Sequence, residues 1–472
     1  MQRKTLNLTL LLLLGAAAAF GAGKEQPLPK DMPPYGALKP FVAPQVTEQK
    51  LANGLTVWLV ARPGFPKVAI AVAARGGYAA DPHDLPGLSD LILATIDQGT
   101  KTRNGRKVAE DLQAAGGDLS GGADSDSLTL ATQVLASALD AGLEVVADVA
   151  QNATFPDSEV ALAKRNQADN LRSEEADPGF LARRAFNKVV FGDHPYSVMS
   201  LTQDSIDKAT AQDIRKEYAR RFRPDQSLLV AVGDFDVAKL SATIEKLFGK
   251  WESPSEPVVG NVPAAPTSTP HEVFFFPRSD SVQTTFELGS LTATRRDPDY
   301  VPMEVANAIY GGMFGSRLIV NIREDKGYTY SPFANLSSRN ATGILATRAD
   351  VRNAVTGASL NEISYELNRM ATTEPTQDEL THAQRYLVGL EALRLQAEAS
   401  VARQLAALWL LGMPASTLSE ENARIPKVTL AEVQEAGSRY FPFARQTVVA
   451  VGDPKTIESQ LGVFGMRIQQ VK

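Results

Sequence analysis

The feature that most constrains the fold of this chain is that it repeats itself. Tyr218-Ala219-Arg220-Arg221-Phe222-Arg223-Pro224 leads into Leu228-Leu229-Val230-Ala231-Val232-Gly233-Asp234. The same order returns in Arg439-Tyr440-Phe441-Pro442 and Val448-Val449-Ala450-Val451-Gly452-Asp453. Gly233 and Gly452 stand 219 positions apart, and Leu130-Ala131-Thr132 precedes Leu345-Ala346-Thr347 by 215. A near-constant offset between two separate motifs indicates duplicated halves. Glu252-Ser253-Pro254 through Thr269-Pro270, rich in proline, serine and small residues, has the composition of a linker. The halves are therefore placed at 45–251 and 272–472, joined through 252–271.

Within each half, strands come in clusters and helices follow, which points to α+β layers rather than regular βαβ alternation. Leu55 to Ala61 and Val68 to Arg75 read as strands. Helices follow near Asp84–Gln98 and Lys107–Ala115, then a strand at Ser127–Val134 and a helix at Ala136–Gln151. After Pro156 the pattern turns more helical, ending in the strand Ser227–Gly233 and the helix Val237–Phe248. This suggests a further split of each half into two α+β domains. The second half repeats the order, with strands at Glu272–Phe276, Gln283–Leu288, Tyr328–Leu336 and Gly343–Val351.

Composition narrows the chemistry. The chain has no cysteine, which excludes disulfides, thiolate metal sites and a cysteine nucleophile. Its four histidines (His83, His194, His271 and His382) are scattered, so no local pair can grip a metal. A net charge of −6 gives no reason to expect nucleic-acid binding. Arg3 and Lys4, the apolar Leu10 to Leu14 and the small Ala16 to Ala19 form a secretory signal. It is assigned to 1–23, with a proline-rich extended lead-in over 24–44. No later segment is long and apolar enough to span a bilayer, so the expected location is the periplasm, without a stable membrane span after cleavage. Gly87-Leu88-Ser89-Asp90-Leu91 lacks the second glycine of a nucleophile elbow. His194, in Phe191-Gly192-Asp193-His194-Pro195-Tyr196, reads as a structural turn.

Two stretches carry a family resemblance. Gly87-Leu88-Ser89-Asp90-Leu91-Ile92-Leu93-Ala94-Thr95-Ile96-Asp97-Gln98-Gly99-Thr100 has the frame of a short amphipathic helix, and it resembles the zinc-binding helix of the M16 (pitrilysin-like, inverted zincin) metallopeptidases. That family carries H-x-x-E-H in this frame, with two histidine ligands on one helix face and a glutamate base beside them. Here Asp90 and Ala94 stand at the histidine positions and Leu93 at the glutamate position. Matching Leu171-Arg172-Ser173-Glu174-Glu175-Ala176-Asp177-Pro178 to the family's later helix puts Asn170 where the third ligand belongs. A catalytic zinc needs about three protein ligands, and one aspartate with one amide does not supply them. The other stretch is Ser316-Arg317-Leu318-Ile319-Val320-Asn321-Ile322-Arg323-Glu324-Asp325-Lys326-Gly327-Tyr328-Thr329-Tyr330. It is similar to the family's C-terminal signature, which the resemblance says provides an arginine and a tyrosine, here Arg323 and Tyr330. Read without the resemblance, Arg323 is a surface ion pair and Tyr330 a packed strand aromatic.

The resemblance implies homologous halves closing like a clamshell. It also implies a division of labour, in which this chain supplies Arg323 and Tyr330 to the zinc site of a homologous partner in a heterodimer. Peptides or unfolded segments are the expected substrates, and the chain itself holds no cofactor, the zinc being the partner's. The alternatives are a purely structural or assembly subunit, and a self-sufficient peptidase with an unorthodox metal site at Asp90, Asn170 and nearby acids.

Overall fold

The computed structural model describes residue 36, residues 44–464 and residues 468–470. The segment read as a signal, and most of the lead-in, lie outside the described residues. The first half builds one six-stranded sheet from β1 (Thr47–Lys50), β2 (Thr56–Ala61), β3 (Lys67–Arg75), β4 (Leu119–Ala123), β5 (Ser127–Leu135) and β6 (Ser227–Gly233). Its order is β1-β2-β6-β3-β5-β4. The second half builds another from β7 (Val273–Pro277), β8 (Gln283–Thr292), β9 (Phe333–Ser338), β10 (Gly343–Arg352), β11 (Thr447–Gly452) and β12 (Ile468–Gln470). Its order is β12-β7-β11-β8-β10-β9. Apart from one edge, where β1 is antiparallel to β2 and β12 parallel to β7, the two sheets match position for position. In each, the late strand inserts parallel to the first long strand (β6 on β2, β11 on β7) and antiparallel to the next (β3, β8).

Ser227–Gly233 lies mid-sheet, with Ala231 opposite both Leu59 and Ile70, so the strand that ends the more helical stretch returns to the first sheet. Of the helices after Pro156, Asp157–Ala176 and Ala211–Arg221 stay with the first half, and Pro178–Phe191 packs on the second sheet.

The inserted strands also explain the unbroken apolar runs. Every residue of Ser227–Gly233 and of Thr447–Gly452 is buried, as strands covered on both faces require. The alternating side chains go to different covers. In the first sheet Leu59, Ile70, Val72, Leu229 and Ala231 pack with helices of their own half, including Leu143, Val146 and Ile244. The opposite set, Trp58, Val60, Ala71, Ala73, Leu228, Val230 and Val232, packs against Val401, Ala402, Leu405 and Leu408. Those four belong to the Glu398–Leu410 helix of the second half. The exchange is reciprocal. The Pro178–Phe191 helix of the first half packs on β8 and β11, and Phe180, Phe186, Val449 and Val451 share one core cluster.

Polar contacts lock the same joint. Arg75, at the end of β3, donates to Leu410 O (2.8 Å) and Trp409 O (2.9 Å), capping the final turn of the swapped helix, and its guanidinium lies 4.3 Å from the Trp409 ring centre. Tyr196 Oη donates to Asp126 (2.8 Å), and Asp126 accepts from Asn340 N (2.8 Å). Through these contacts the two halves pack directly on one another. Among the described residues no helix is long and apolar enough to cross a membrane.

Candidate functional site

The helix that carries the first motif runs over Leu88–Thr95. Its start needs Gly87, which sits at φ +83° and would place a Cβ 2.3 Å from Leu201 N. Leu88, Leu91 and Ile92 are buried, as the helical spacing predicts. A buried cluster pins its first turn. Arg221 donates to Ser89 Oγ (2.7 Å), to Asp81 (2.8 Å) and to Glu217 (3.2 Å), all within the interior. In the sequence Arg221 is only a letter of the repeat. Its pairing with Asp81, 140 positions away, has no local signal.

Asp90 faces inward. Tyr78 Oη donates to its Oδ1 (2.7 Å) and Leu201 N to its Oδ2 (3.2 Å). Burial outweighs these two bonds and pushes the carboxyl up to about 6. Leu93 is half-buried and lies over Gly121 of β4, whose Cβ would come within 3.2 Å of it. Ala94 packs against the core, and Asn170 is exposed on the neighbouring Asp157–Ala176 helix. Two of these four positions carry no donor atom, and both oxygens of the one carboxylate are engaged. The set does not fit a zinc ion, which needs several convergent ligands. Among the described residues, no group of three or more histidine, aspartate or glutamate side chains is placed to hold a metal.

The second motif begins with Ser316, whose hydroxyl caps the turn Arg317–Ile319. Arg317 is buried and pairs through two bonds with Glu379 (2.6 and 2.9 Å), fixing the turn to the Gln377–Arg394 helix. The chain then widens into a π-helical segment, Val320–Asp325, a geometry common at functional positions. Gly327, at φ +60°, ends it, donating to Arg323 O (3.1 Å), while Tyr328 N reaches back to Ile322 O (2.8 Å). This reversal returns Tyr330 to Arg323. The guanidinium lies 4.9 Å from the Tyr330 ring centre and 4.8 Å from that of Phe314, between two aromatics that are 78% and 67% exposed. Its Nε meets Glu324 at 3.2 Å.

The ion pair expected of an ordinary surface arginine is therefore present, together with a cation–π clasp. Tyr330 departs from the packed-strand expectation. It is exposed and precedes β9, which starts only at Phe333. Sequence reasoning missed Phe314; its one signal is an aromatic set in Gly312-Met313-Phe314-Gly315. An arginine held by aromatic faces keeps the remaining N–H edge available to carbonyl oxygens, and an exposed phenol offers one further donor. The Leu88–Thr95 helix packs on Asp157–Ala176, β4 and Ala211–Arg221, whereas the Arg317–Asp325 region packs on the Thr356–Thr372 helix. Each motif thus stays within its own half. His194 accepts from Tyr196 N at Nδ1 (3.1 Å), and its Nε2 lies 3.1 Å from Pro263 O.

Comparison with known proteins finds relatives for most of the chain. Residues 56–192 match the family described as "Insulinase (Peptidase family M16)", and residues 208–387 match "Peptidase M16 inactive domain". An uncharacterized zinc protease of Streptomyces coelicolor is 23% identical over 395 residues, covering 82% of this chain and 86% of that protein. A structure titled as the peptidase M16 inactive domain from Pseudomonas fluorescens superposes with a TM-score of 0.81 at 23% identity, over 87% of this chain and 98% of that one. A chain of Complex III2 from Candida albicans does so with a TM-score of 0.74 at 18% identity, over 86% and 96%.

Proposed function

The chain belongs to the M16 peptidase family, and on that premise we propose that it is the non-catalytic, substrate-binding subunit of a heterodimeric zinc metallopeptidase. The observation that carries this reading is an asymmetry. The positions that would hold a metal carry Asp90, Leu93, Ala94 and Asn170, while Arg323 and Tyr330 are kept and adjacent, the arginine half-buried and the tyrosine exposed. The metal and its base belong, in this reading, to a homologous partner. This chain's part is to hold an extended peptide by its main chain: Arg323 donates to a carbonyl oxygen, and the Tyr330 hydroxyl donates where negative charge develops beside the cleaved bond. The folded protein is expected to act in the periplasm.

The test is reconstitution with a homologue carrying H-x-x-E-H. Each chain alone should be inactive on peptides, and the mixture active and chelator-sensitive. Chelator-sensitive cleavage by this chain alone would overturn the assignment.

A second reading is favoured by one observation, the similarity in fold to a chain of Complex III2 from Candida albicans. A purely structural subunit would assemble with its partners and tolerate loss of both Arg323 and Tyr330.

A further inference from the structure

Four of the thirteen large apolar side chains that stand exposed among the described residues fall within residues 314–333: Phe314, Val320, Tyr330 and Phe333. Of these, only Tyr330 has a part in the chemistry proposed above. Phe314 occupies a tight turn. Ser316 N donates to Met313 O (3.0 Å), which leaves Phe314 and Gly315 at the two central positions. Both ends of the turn are anchored. Met313 packs against the core of the second half, and Ser316 caps the short helix that the Arg317–Glu379 pair holds in place. Anchored backbone therefore presents a phenylalanine to solvent, at a position where small polar residues are the usual choice.

Folding does not account for it. A phenylalanine left in water forgoes the stabilisation that burial brings, and the cation–π contact with Arg323 restores only part of that. The contact also uses one face of the ring. The other lies open, since the residue remains 67% exposed. An exposed apolar surface rimmed by polar groups is the usual mark of an interaction site.

Its position says what arrives there. Arg323 lies between Phe314 and Tyr330, so Phe314 flanks the arginine on the side away from the phenol. A peptide whose carbonyl oxygen accepts from Arg323 runs past these rings. In an extended chain successive residues advance by about 3.3 Å, so a side chain one or two residues from the bound carbonyl reaches the open face of Phe314. Such a face takes aliphatic and aromatic side chains.

We propose that Phe314 is a specificity-determining residue. Its open face selects peptides that carry a bulky apolar side chain, such as leucine, methionine or phenylalanine, within two residues of the carbonyl that Arg323 holds. This rests on the subunit role proposed above and names the class of peptide that the role serves.

The test has two arms and one series of short end-blocked peptides, in which each position in turn is phenylalanine, leucine or serine. In the first arm, fluorescence anisotropy follows binding of the labelled peptides to the full chain alone. At one position the phenylalanine and leucine peptides should bind about fivefold tighter than the serine peptide. Phe314→Ser should bring that ratio below about twofold, and Phe314→Tyr should keep it. Phe314 is exposed, so both variants should keep the circular dichroism of the parent. In the second arm, the chain paired with a zinc-bearing homologue should show the same preference in kcat/KM, carried by KM. A flat series in both arms overturns the proposal, and is read on the unmodified protein. A ratio that survives Phe314→Ser overturns it too, because a residue that only props Arg323 would weaken every peptide by one factor. An inactive pair, with a Phe314-dependent ratio in the binding arm, would overturn the subunit role alone.

Discussion

At the scale of single residues, the two motifs behave oppositely. Arg323 and Tyr330 are held mainly by one another and by Phe314, at the surface. In the reconstituted pair, Arg323→Ala and Tyr330→Phe should each lower kcat/KM by about 100-fold, the usual effect of losing one transition-state donor. Stability should stay within about 0.5 kcal/mol, because no core contact is lost. Unchanged turnover in steady-state assays would favour the structural reading. Asp90 is the reverse case, a half-buried carboxyl whose two oxygens are held by Tyr78 and Leu201. Its folded-state value of about 6 lies above that of an exposed carboxyl, so the folded chain holds the proton more tightly than the unfolded one. Ionisation therefore costs stability as pH rises from about 4 to about 6. Asp90→Asn removes that slope. The melting temperature of the variant minus that of the parent should climb across this window, and a flat difference would refute the assignment. The spacing of Arg323 and Tyr330 was legible in sequence because seven residues of local chain fix it. Phe314 and the Tyr78–Asp90 bond were not, since each depends on where another segment arrives.

At the scale of elements, sequence located most long strands and the helices near 136–151 and 237–248, gave no bounds for Asp157–Ala176 or Gln377–Arg394, and erred where tertiary contact overrides local preference. β4, Leu-Ser-Gly-Gly-Ala, has poor strand propensity and shows no strand pattern of its own. It exists because β5 pairs with it along its whole length and Leu93 needs Gly121 beneath it. The strand placed at Tyr328–Leu336 begins only at Phe333, because Gly327 and the π-helical turn use the preceding residues. Close helix contacts make a sharp prediction. A Cβ on Gly437, in the Leu430–Tyr440 helix, would stand 2.3 Å from Met370 O of the Thr356–Thr372 helix. Backbone cannot step aside as a side-chain tip does. Gly437→Ala should therefore destabilise by about 1–3 kcal/mol, the range for overpacking, despite the better helix propensity of alanine. Urea titration would show this as a lower midpoint, and a rise would contradict the packing.

At the scale of the whole molecule, the halves hold one another. The Glu398–Leu410 helix covers the first sheet, and the Pro178–Phe191 helix covers part of the second. Each half alone would expose a wide apolar sheet face, so calorimetry on the intact chain should give a single transition. Leu405→Ala, in the swapped helix, should shift that whole transition by about 2–5 kcal/mol; two separated peaks would show the halves to be independent. The sequence by itself determined the duplication, the α+β class and the type of donors available, because repeats, strand periodicity and side-chain chemistry are properties of the local chain. Only the tertiary structure decided that Ser227–Gly233 lies mid-sheet and that each half's helix crosses to the other. Those relations join segments far apart in the chain, through burial and hydrogen bonding that leave no periodic mark in the residues between them.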